Sequence, residues 1–468
     1  MISARPRTAL TCPPVLSPIT AFLGISIALT APMATQAQTL EEALASAYLS
    51  NPEIEAQRAA VRATDELVSQ ALSGWRPTLQ ITSNASISDI KSAAGEGSVE
   101  STSNSLTIDQ NIYEGGATVA NTRRAERLVR VERARLTTVE QDVLLRAATA
   151  YTTLINDLAV LELAVQNENR LRRQLRATRD RFEVGEVTRT DVAQADARVA
   201  GAISERVRAA GTIEASRAAF RNVINLEPES LIPPDPLKNL PASEAEAQQQ
   251  AESLNPSILA AEFNLAAAKE DVSVAESALY PRLSVNGELN YTDEPSLSVP
   301  WQRVASIAAT LAVPLYQGGG EYAQIRQSKQ TVQQRRADLD SVLRSVREEV
   351  TAAWQALVTA RSSIESITEQ VRAAEIALDG SRQEALVGQR TTLDVLDQEN
   401  DLFQAEVDLV SAQRDEIVAS YRLKAAVGAL RAKDIDLAVE PYDVEANYKD
   451  VRSRWFGLGN DLSNEHQD

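Results

Sequence analysis

The feature that most constrains the fold of this chain is an internal repeat. Three short motifs occur in both halves of the sequence, in the same order and 203 or 204 residues apart. They are Asn-Pro at 51 and 255, Tyr-Glu/Gln-Gly-Gly at 113 and 316, and Val-Gly at 184 and 387. Because the spacing is almost constant, the motifs predict two copies of one supersecondary unit. We place the copies at 38–240 and 241–433, joined by the proline-rich stretch 233–241.

The composition favours long helices and excludes several classes of function. Aromatic residues make up only 4% of the chain, although 44% is hydrophobic, which suits helices that pack closely through small side chains. The formal net charge of −18 argues against a nucleic-acid partner. The only histidine is His466, so the sequence offers no Ser-His-Asp set and no cysteine–histidine metal site. We therefore expect no enzyme, no cofactor and no resident metal.

The first 37 residues have the pattern of a secretory signal peptide. Arg5 and Arg7 precede the mostly apolar stretch 15–31, and small residues at 35–37 offer a cleavage site. Cys12, the only cysteine, lies before the apolar stretch. This is the wrong place for lipidation, so we expect no acyl anchor. No later stretch stays apolar over the roughly 18 residues that a transmembrane helix needs.

Four segments alternate between apolar and polar residues, which predicts two β-hairpins, at about 77–113 and 281–316. In the first segment, Leu79 and Ile81 alternate with Gln80 and Thr82. Each segment covers about ten residues, enough for a tilted strand to cross an outer membrane with lipid on one face and water on the other. A half-buried sheet of a soluble protein would alternate in the same way. Four strands cannot close around water, so the membrane interpretation requires several chains to share one barrel.

Each β-hairpin is followed by a very long helical hairpin, at about 117–226 and 319–430. Neither proline nor glycine interrupts 117–182 or 321–379, and about 60 helical residues would extend about 90 Å. The second stretch has a heptad repeat, which predicts supercoiled packing. Its two apolar seams are Leu343, Val350, Leu357, Ile364, Val371 and Leu378, and Leu339, Val346, Ala353, Ala360, Ile367 and Ala374.

Glycines and further helices complete each copy. Gly185 and Gly388 mark the turns between the paired helices, since glycine is the usual residue at a helix end. A shorter helix, at 41–73 and 251–279, leads into each copy. The polar, acidic segment 434–468 is expected to pack around the middle of the helical part and to end in a disordered tail.

Together with the Asn-Pro at 51, three stretches resemble the TolC family of outer-membrane channel proteins, the outer membrane efflux and secretion factors. They are Pro-Leu-Tyr-Gln-Gly-Gly at 314–319, Arg-Phe-Glu-Val-Gly at 181–185, and Val-Gly-Gln-Arg-Thr-Thr-Leu-Asp-Val-Leu-Asp at 387–397. The resemblance runs through both copies in the right order. It implies a mixed α and β membrane protein, a homotrimer in which four strands per chain form a twelve-stranded outer-membrane β-barrel. A long periplasmic α-helical barrel would continue it.

The resemblance also implies the location and partners of the chain. The cell would be Gram-negative, and the chain would lie in its outer membrane, in contact with lipid, with a periplasmic extension. The helical turns would face a periplasmic adaptor, also called a membrane fusion protein. An inner-membrane transporter of the ABC, RND or a similar class would supply the energy. Drugs, peptides and large proteins leave through ducts of similar build, so the cargo depends mostly on these partners.

Two helix starts carry the capping-box pattern, in which a carboxylate follows a threonine by three residues. They are Thr188 with Asp191 and Thr391 with Asp394. Capping is therefore one role for both aspartates. Asp397 is not needed for capping, because its counterpart in the first copy is Gln194. It lies one turn after Asp394 on the same helix face.

In a trimer, Asp394 and Asp397 would place six carboxylates around one axis. The resemblance independently assigns these two residues to the pore constriction. Such a ring is unfavourable unless it is hydrated, bound to cations or partly protonated. We expect a narrow, cation-selective gate that di- or trivalent cations can block. The alternative is a solvated acidic helix start.

The resemblance aligns Arg390 with a residue that holds neighbouring helices together at the closed entrance. Thr190 and Asp191 align with its partners, so we predict gate contacts among these three residues. One tyrosine of the family's network is replaced here by Ala385. This replacement predicts a closed state that is held less tightly.

Two functional hypotheses follow. The first is a passive exit duct in the outer membrane, part of a tripartite efflux pump or a type I secretion system and gated at its periplasmic end. The second is a periplasmic or surface coiled-coil scaffold without a pore. The four amphipathic strands and the Asp394–Asp397 pair favour the first, because a coiled coil alone explains neither.

Overall fold

The computed structural model describes residues 38–92 and 95–458. The predicted signal peptide at 1–37 and the last part of the predicted tail, 459–468, lie outside the described residues. In the part that is described, the two sequence repeats have the same order of elements. Each repeat consists of two short helices, two strands and two long helices.

The bounds of the elements show how closely the copies correspond. The first copy contains α1 (Leu40–Ser50), α2 (Pro52–Leu72), β1 (Thr78–Ser92), β2 (Gly95–Glu114), α3 (Ala117–Glu183) and α4 (Arg189–Ile224). The second contains α5 (Glu244–Leu254), α6 (Pro256–Glu276), β3 (Arg282–Ser296), β4 (Val299–Ala312), α7 (Gly320–Leu386) and α8 (Thr392–Val427). A short helix, α9 (Ala446–Arg452), follows. Both α3 and α7 have 67 residues, and both α4 and α8 have 36, which confirms the two-copy architecture.

The Asn-Pro motif divides the leading helix of each copy, where the sequence predicts one continuous helix. Asn51 separates α1 from α2 because the residue before a proline is disfavoured in helical conformation. Its side chain accepts a hydrogen bond from Glu53 N at 2.9 Å and donates one to the Val223 carbonyl at 3.2 Å. Asn255 likewise caps α6 and donates to the Ala426 carbonyl at 2.9 Å. The repeated asparagine therefore joins each leading helix to the end of α4 or α8.

The four strands form one antiparallel sheet in the order β1-β2-β3-β4. They are longer than expected, with 15, 20, 15 and 14 residues. The additional length lies at the ends of the strands that face the two hairpin turns, where Lys91 pairs with Glu96 and Ser296 with Val299. Backbone hydrogen bonds stabilise these extensions without an apolar face. Many apolar side chains of the sheet are exposed in the single chain, and every residue of β4 is.

The long helices pack through the predicted heptad seams. Val350, Leu357 and Leu378 are buried on one seam, and Val346 and Ala353 on the other. The largest core cluster lies at the middle of α3, where Leu144 and Tyr151 pack against α1 and the end of α4. Among the helices of the described residues, none has the length and apolar character of a membrane-spanning helix.

The C-terminal segment begins at the middle of the helical part and then continues toward the sheet. Tyr442 N donates to the Tyr48 hydroxyl of α1 at 3.0 Å. In α9, Asn447 donates to the buried carboxylate of Asp65 in α2 at 2.8 Å. Burial raises the pKa of Asp65, an effect that the Asn447 hydrogen bond opposes. These polar contacts hold the segment along α2.

The corner between β2 and α3 requires a glycine at position 115. Both Gly115 and Gly116 have left-handed backbone angles, with φ of 64° and 89°. A Cβ atom on Gly115 would lie 2.5 Å from the Ser277 carbonyl oxygen, whereas one on Gly116 would meet no atom within 4 Å. Both Gly115→Ala and Gly116→Ala strain the backbone, but only Gly115→Ala also overpacks the corner. Gly115→Ala should therefore lower the free energy of unfolding by about 2 kcal/mol more than Gly116→Ala. The midpoints of thermal unfolding measure the difference, and equal midpoints would contradict it.

Candidate functional site: the tips of the helical hairpins

The two helical hairpins turn through equivalent glycine motifs. Gly185 and Gly388 have φ of 81° and 79°, a conformation that glycine adopts without strain. The residue after each glycine donates its N–H back to the end of the preceding helix. Glu186 N lies 2.9 Å from the Arg181 carbonyl, and Gln389 N lies 2.9 Å from the Glu384 carbonyl. These bonds satisfy carbonyls at the helix end and fix the direction of the returning helix.

Both predicted capping boxes are formed at the start of the returning helices. Thr391 N donates to Asp394 Oδ2 at 2.9 Å, and Asp394 N donates to Thr391 Oγ1 at 3.2 Å. Thr188 and Asp191 make the same pair of bonds at 2.8 and 3.3 Å. The backbone N–H and the hydroxyl of Thr391 hold the pKa of Asp394 below its ordinary value. The structure thus confirms the capping role and indicates that Asp394 is ionised at neutral pH.

Asp397 has a cationic partner that the sequence did not reveal. Its Oδ1 accepts a hydrogen bond from Arg198 Nη2 of α4 at 2.5 Å, and both side chains are about half exposed. The pair joins the second hairpin to the first. Among residues 38–92 and 95–458 of one chain, therefore, no arginine forms a hydrogen bond with Asp394, whereas the charge of Asp397 is partly neutralised by Arg198.

Arg390 also has a partner that the sequence did not indicate. Its Nε donates to Glu384 Oε2 at 2.8 Å, and this hydrogen bond raises the pKa of the guanidinium. Thr190 and Asp191 lie at the start of α4. Within residues 38–92 and 95–458 of one chain, Arg390 makes no ion pair or hydrogen bond with either. The gate contacts thus stay a prediction, and they require a neighbouring chain or a rearrangement of the tip.

An ion network behind the tip links three helices. Glu399 of α8 is 1% exposed and pairs with Arg382 of α7 and, at 3.3 Å, with Arg170 of α3. Arg170 also contacts Glu406 at 3.1 Å. The sequence carried a signal for this network, since Glu399 lies between Leu396 and Leu402 on the buried face of α8. A glutamate at such a position requires compensating charges.

The described part of the chain contains no group of three or more His, Cys, Asp or Glu side chains placed to hold a metal ion. Ala385, where the family's tyrosine is replaced, is buried with Leu378 and Val395 between α7 and α8. The polar groups at the tip that the structure describes form ion pairs and hydrogen bonds. Groups of this kind can hold ions or the ends of neighbouring helices.

Comparisons with known proteins agree with this geometry. The family described as outer membrane efflux protein matches residues 43–226 and 247–429, which are the two copies. The chain is 36% identical to the outer membrane efflux protein BepC of Brucella suis, over 91% of this chain and 93% of BepC. It is 27% identical to the outer membrane protein TolC of Vibrio cholerae, over 88% of this chain and 96% of that protein.

Solved structures show the same fold. The outer membrane channel CmeC of Campylobacter jejuni superimposes with a TM-score of 0.76 at 15% identity, over 88% of this chain and 89% of CmeC. A structure of CusC gives a TM-score of 0.74 at 16% identity, over 83% of this chain and 92% of CusC. The family resemblance inferred from 181–185, 314–319 and 387–397 is thereby confirmed. The chain belongs to the outer membrane efflux protein family, and it is a non-enzymatic efflux or secretion channel of the outer membrane with a helical periplasmic extension.

Proposed function

We propose that the chain is the passive exit duct of a tripartite efflux pump or a type I secretion system. It works as a homotrimer that is gated at the periplasmic tips of its helices. The family implies a trimeric assembly with efflux or secretion partners. The geometry of the single chain supports the closed twelve-stranded ring and the gate residues, and the family supports the partners.

The observation that carries the proposal is an imbalance of burial between equivalent helices. The 67-residue helix α3 has 22 buried residues, and the equally long α7 has 11. α3 packs against α6 of the second copy, and the equivalent partner for α7 is α2 of a neighbouring chain. The heptad seams leave α7 with a surface that needs such a partner. A head-to-tail contact of this kind closes into a ring when the rotation between chains allows it.

The sheet and the glycine corners support the same arrangement. β1 and β4 are the edges of the sheet, and each edge carries backbone groups that can pair with another chain. Gly115 is enclosed by Ser277 and Tyr280, whereas its equivalent, Gly318, has no atom within 4 Å of its Cβ position. Pairing of β4 with β1 of the next chain would enclose Gly318 in the same way. With three chains, the ring has twelve strands.

The gate follows from the charges at the tips. Asp394 and Asp397 form the pore constriction, with Asp394 ionised and Asp397 balanced against Arg198. In the closed state, Arg390 exchanges its Glu384 partner for Thr190 and Asp191 of a neighbouring hairpin. A periplasmic adaptor and an inner-membrane transporter of the ABC, RND or a similar class bind the tips and open them. The exposed apolar face of the sheet disfavours the pore-free scaffold, because a soluble scaffold would cover it.

Arg390→Ala tests the gate in a planar lipid bilayer with a salt gradient. The wild type should show a small, cation-selective conductance, and Arg390→Ala should raise the conductance several-fold because the helices at the entrance lose their contacts. The matched control is Arg372→Ala. Arg372 is an exposed arginine of α7 that pairs with Glu369 of the same helix, so its removal should leave the conductance unchanged. An unchanged Arg390→Ala channel would refute the gate contacts. No conductance from either inserted protein would show that contacts other than those of Arg390 close the entrance.

A further inference from the structure

The C-terminal segment ends in an exposed apolar group, formed by Trp455, Phe456 and Leu458. Trp455 is 59% exposed, Phe456 is 86% exposed, and Leu458 is fully exposed. The two aromatic rings lie 6.4 Å apart in an edge-to-face arrangement. The segment that leads to them is polar and acidic, so the group is a local feature. Contiguous exposed apolar side chains of this kind mark an interaction surface.

Contacts with Arg76 hold this apolar group at the helix-proximal end of the sheet. Arg76 Nη1 donates to the Arg454 carbonyl at 2.8 Å, and its guanidinium lies 5.1 Å from the centre of the Trp455 ring. Strand β1 begins at Thr78, two residues after Arg76. Through these contacts with Arg76, Trp455 lies beside the segment that leads into strand β1.

A row of aromatic residues marks the same level of the molecule. Each of the four strands carries one exposed aromatic side chain at or next to its helix-proximal end. These are Trp75 before β1, Tyr113 in β2, Tyr280 before β3 and Tyr316 after β4. Tryptophan and tyrosine concentrate at the two membrane–water interfaces of outer-membrane proteins. Since the helices are periplasmic, this row lies at the periplasmic interface of the outer membrane.

The charge next to the apolar group fits a phospholipid surface. Among the described residues, Arg76 has no ion-pair partner; its contacts are the Arg454 carbonyl and the Trp455 ring. A guanidinium at this level can bind the phosphate of a lipid headgroup. An arginine beside exposed tryptophan, phenylalanine and leucine is the combination that amphipathic membrane-surface segments use.

We propose that residues 455–458 are a peripheral membrane anchor that inserts into the phospholipid headgroup region of the periplasmic leaflet. Arg76 binds a headgroup phosphate beside it. The anchor fixes the C-terminal segment, and with it α9 and α2, to the membrane surface around the strands. The group lies beside the segment that leads into β1, and the occupant is the membrane in which the channel already lies.

Tryptophan fluorescence in vesicles tests this anchor. A variant with Trp75, Trp301 and Trp354 replaced by phenylalanine keeps Trp455 as its only tryptophan. It is inserted into vesicles of phosphatidylethanolamine and phosphatidylglycerol that contain lipid brominated either near the headgroup or near the chain end. We expect shallow bromine to quench Trp455 at least about twofold more strongly than deep bromine, as an interfacial residue requires. Aqueous iodide should quench it weakly.

The chain supplies a matched control in Trp354. This residue lies 34 positions after Gly320 in α7, about 50 Å along the helix, so lipid bromine should not quench a variant that keeps Trp354 alone. Strong quenching of Trp455 by iodide without quenching by lipid would overturn the anchor. Protection from both quenchers would also overturn it, because the segment would then lie against another chain. Trp455→Phe in the otherwise unchanged protein should lower shallow-lipid quenching and keeps the test valid if the triple variant folds poorly.

Discussion

Replacing Asp394 and Asp397 together by asparagine should remove most of the cation selectivity of the channel. In the proposed trimer, the two positions place six carboxylates around the narrowest part of the duct. Fixed negative charges in a narrow aqueous pore concentrate cations and exclude anions. Asparagine keeps the size of the side chain and removes the charge. The cation-to-anion permeability ratio, measured from the reversal potential in a salt gradient, should fall roughly tenfold toward one.

The contacts of the single chain predict how the two positions share this effect. Asp394 is ionised and, in the part of the chain that the structure describes, has no arginine in hydrogen-bond contact, whereas Asp397 is paired with Arg198 at 2.5 Å. Asp394→Asn alone should therefore cause the larger loss of selectivity. Arg198→Gln is the informative control, because it frees the Asp397 carboxylate and should increase cation selectivity. Unchanged selectivity in the double variant would place the filter elsewhere in the duct.

The pH dependence of selectivity gives a further check on Asp394. The Thr391 hydrogen bonds hold the pKa of Asp394 below the ordinary value for aspartate. A lowered pKa means that the carboxylate stays charged until the solution is more acidic than that ordinary value, 3.8. The contribution of Asp394 to selectivity should thus persist through mildly acidic pH and be lost only at pH values below 3.8. A loss near neutral pH would indicate that another group titrates at the constriction.

The order of the elements and their turns could be predicted from the sequence because local signals determine them. Gly185 and Gly388 end the long helices through a backbone conformation that other residues adopt at a cost. The Asn-Pro motif also carried a local signal, since proline restricts the residue before it, and this signal would have predicted the break between α1 and α2. The strand extensions beyond Lys91 could not be predicted from apolar alternation, because backbone pairing alone stabilises them.

The partners of the charged residues could not be predicted, because they depend on how distant helices pack. Asp397 and Arg198 are 199 residues apart in sequence, and their contact requires α4 and α8 to lie side by side. A heptad pattern predicts which face of a helix is buried and leaves the identity of the neighbouring helix open. The same limit applies to Glu399 and Arg170. The position of a side chain relative to the trimer axis is likewise a property of the assembly.

Glu399→Gln should destabilise the helical hairpins by about 3 kcal/mol and increase spontaneous opening of the channel. Removing one partner of a buried ion pair leaves the other charge without compensation, which costs roughly 3–5 kcal/mol. We expect a cost at the lower end of this range, because Arg382 is about half exposed and Arg170 remains paired with Glu406. Glutamine retains the shape of the side chain, so the effect reports the charge. A lower midpoint of thermal unfolding and more frequent openings in a planar bilayer are the expected measurements.

The control for Glu399→Gln is Glu369→Gln in the neighbouring helix α7. Glu369 pairs with Arg372, and both side chains are well exposed, so this substitution should cost less than about 1 kcal/mol. If the two variants behave alike, the buried network contributes no more than a surface pair. If Glu399→Gln lowers stability without changing the openings, the network stabilises the hairpins but does not hold the gate. The gating role requires both effects, because Glu399 joins the second hairpin to α3 of the first.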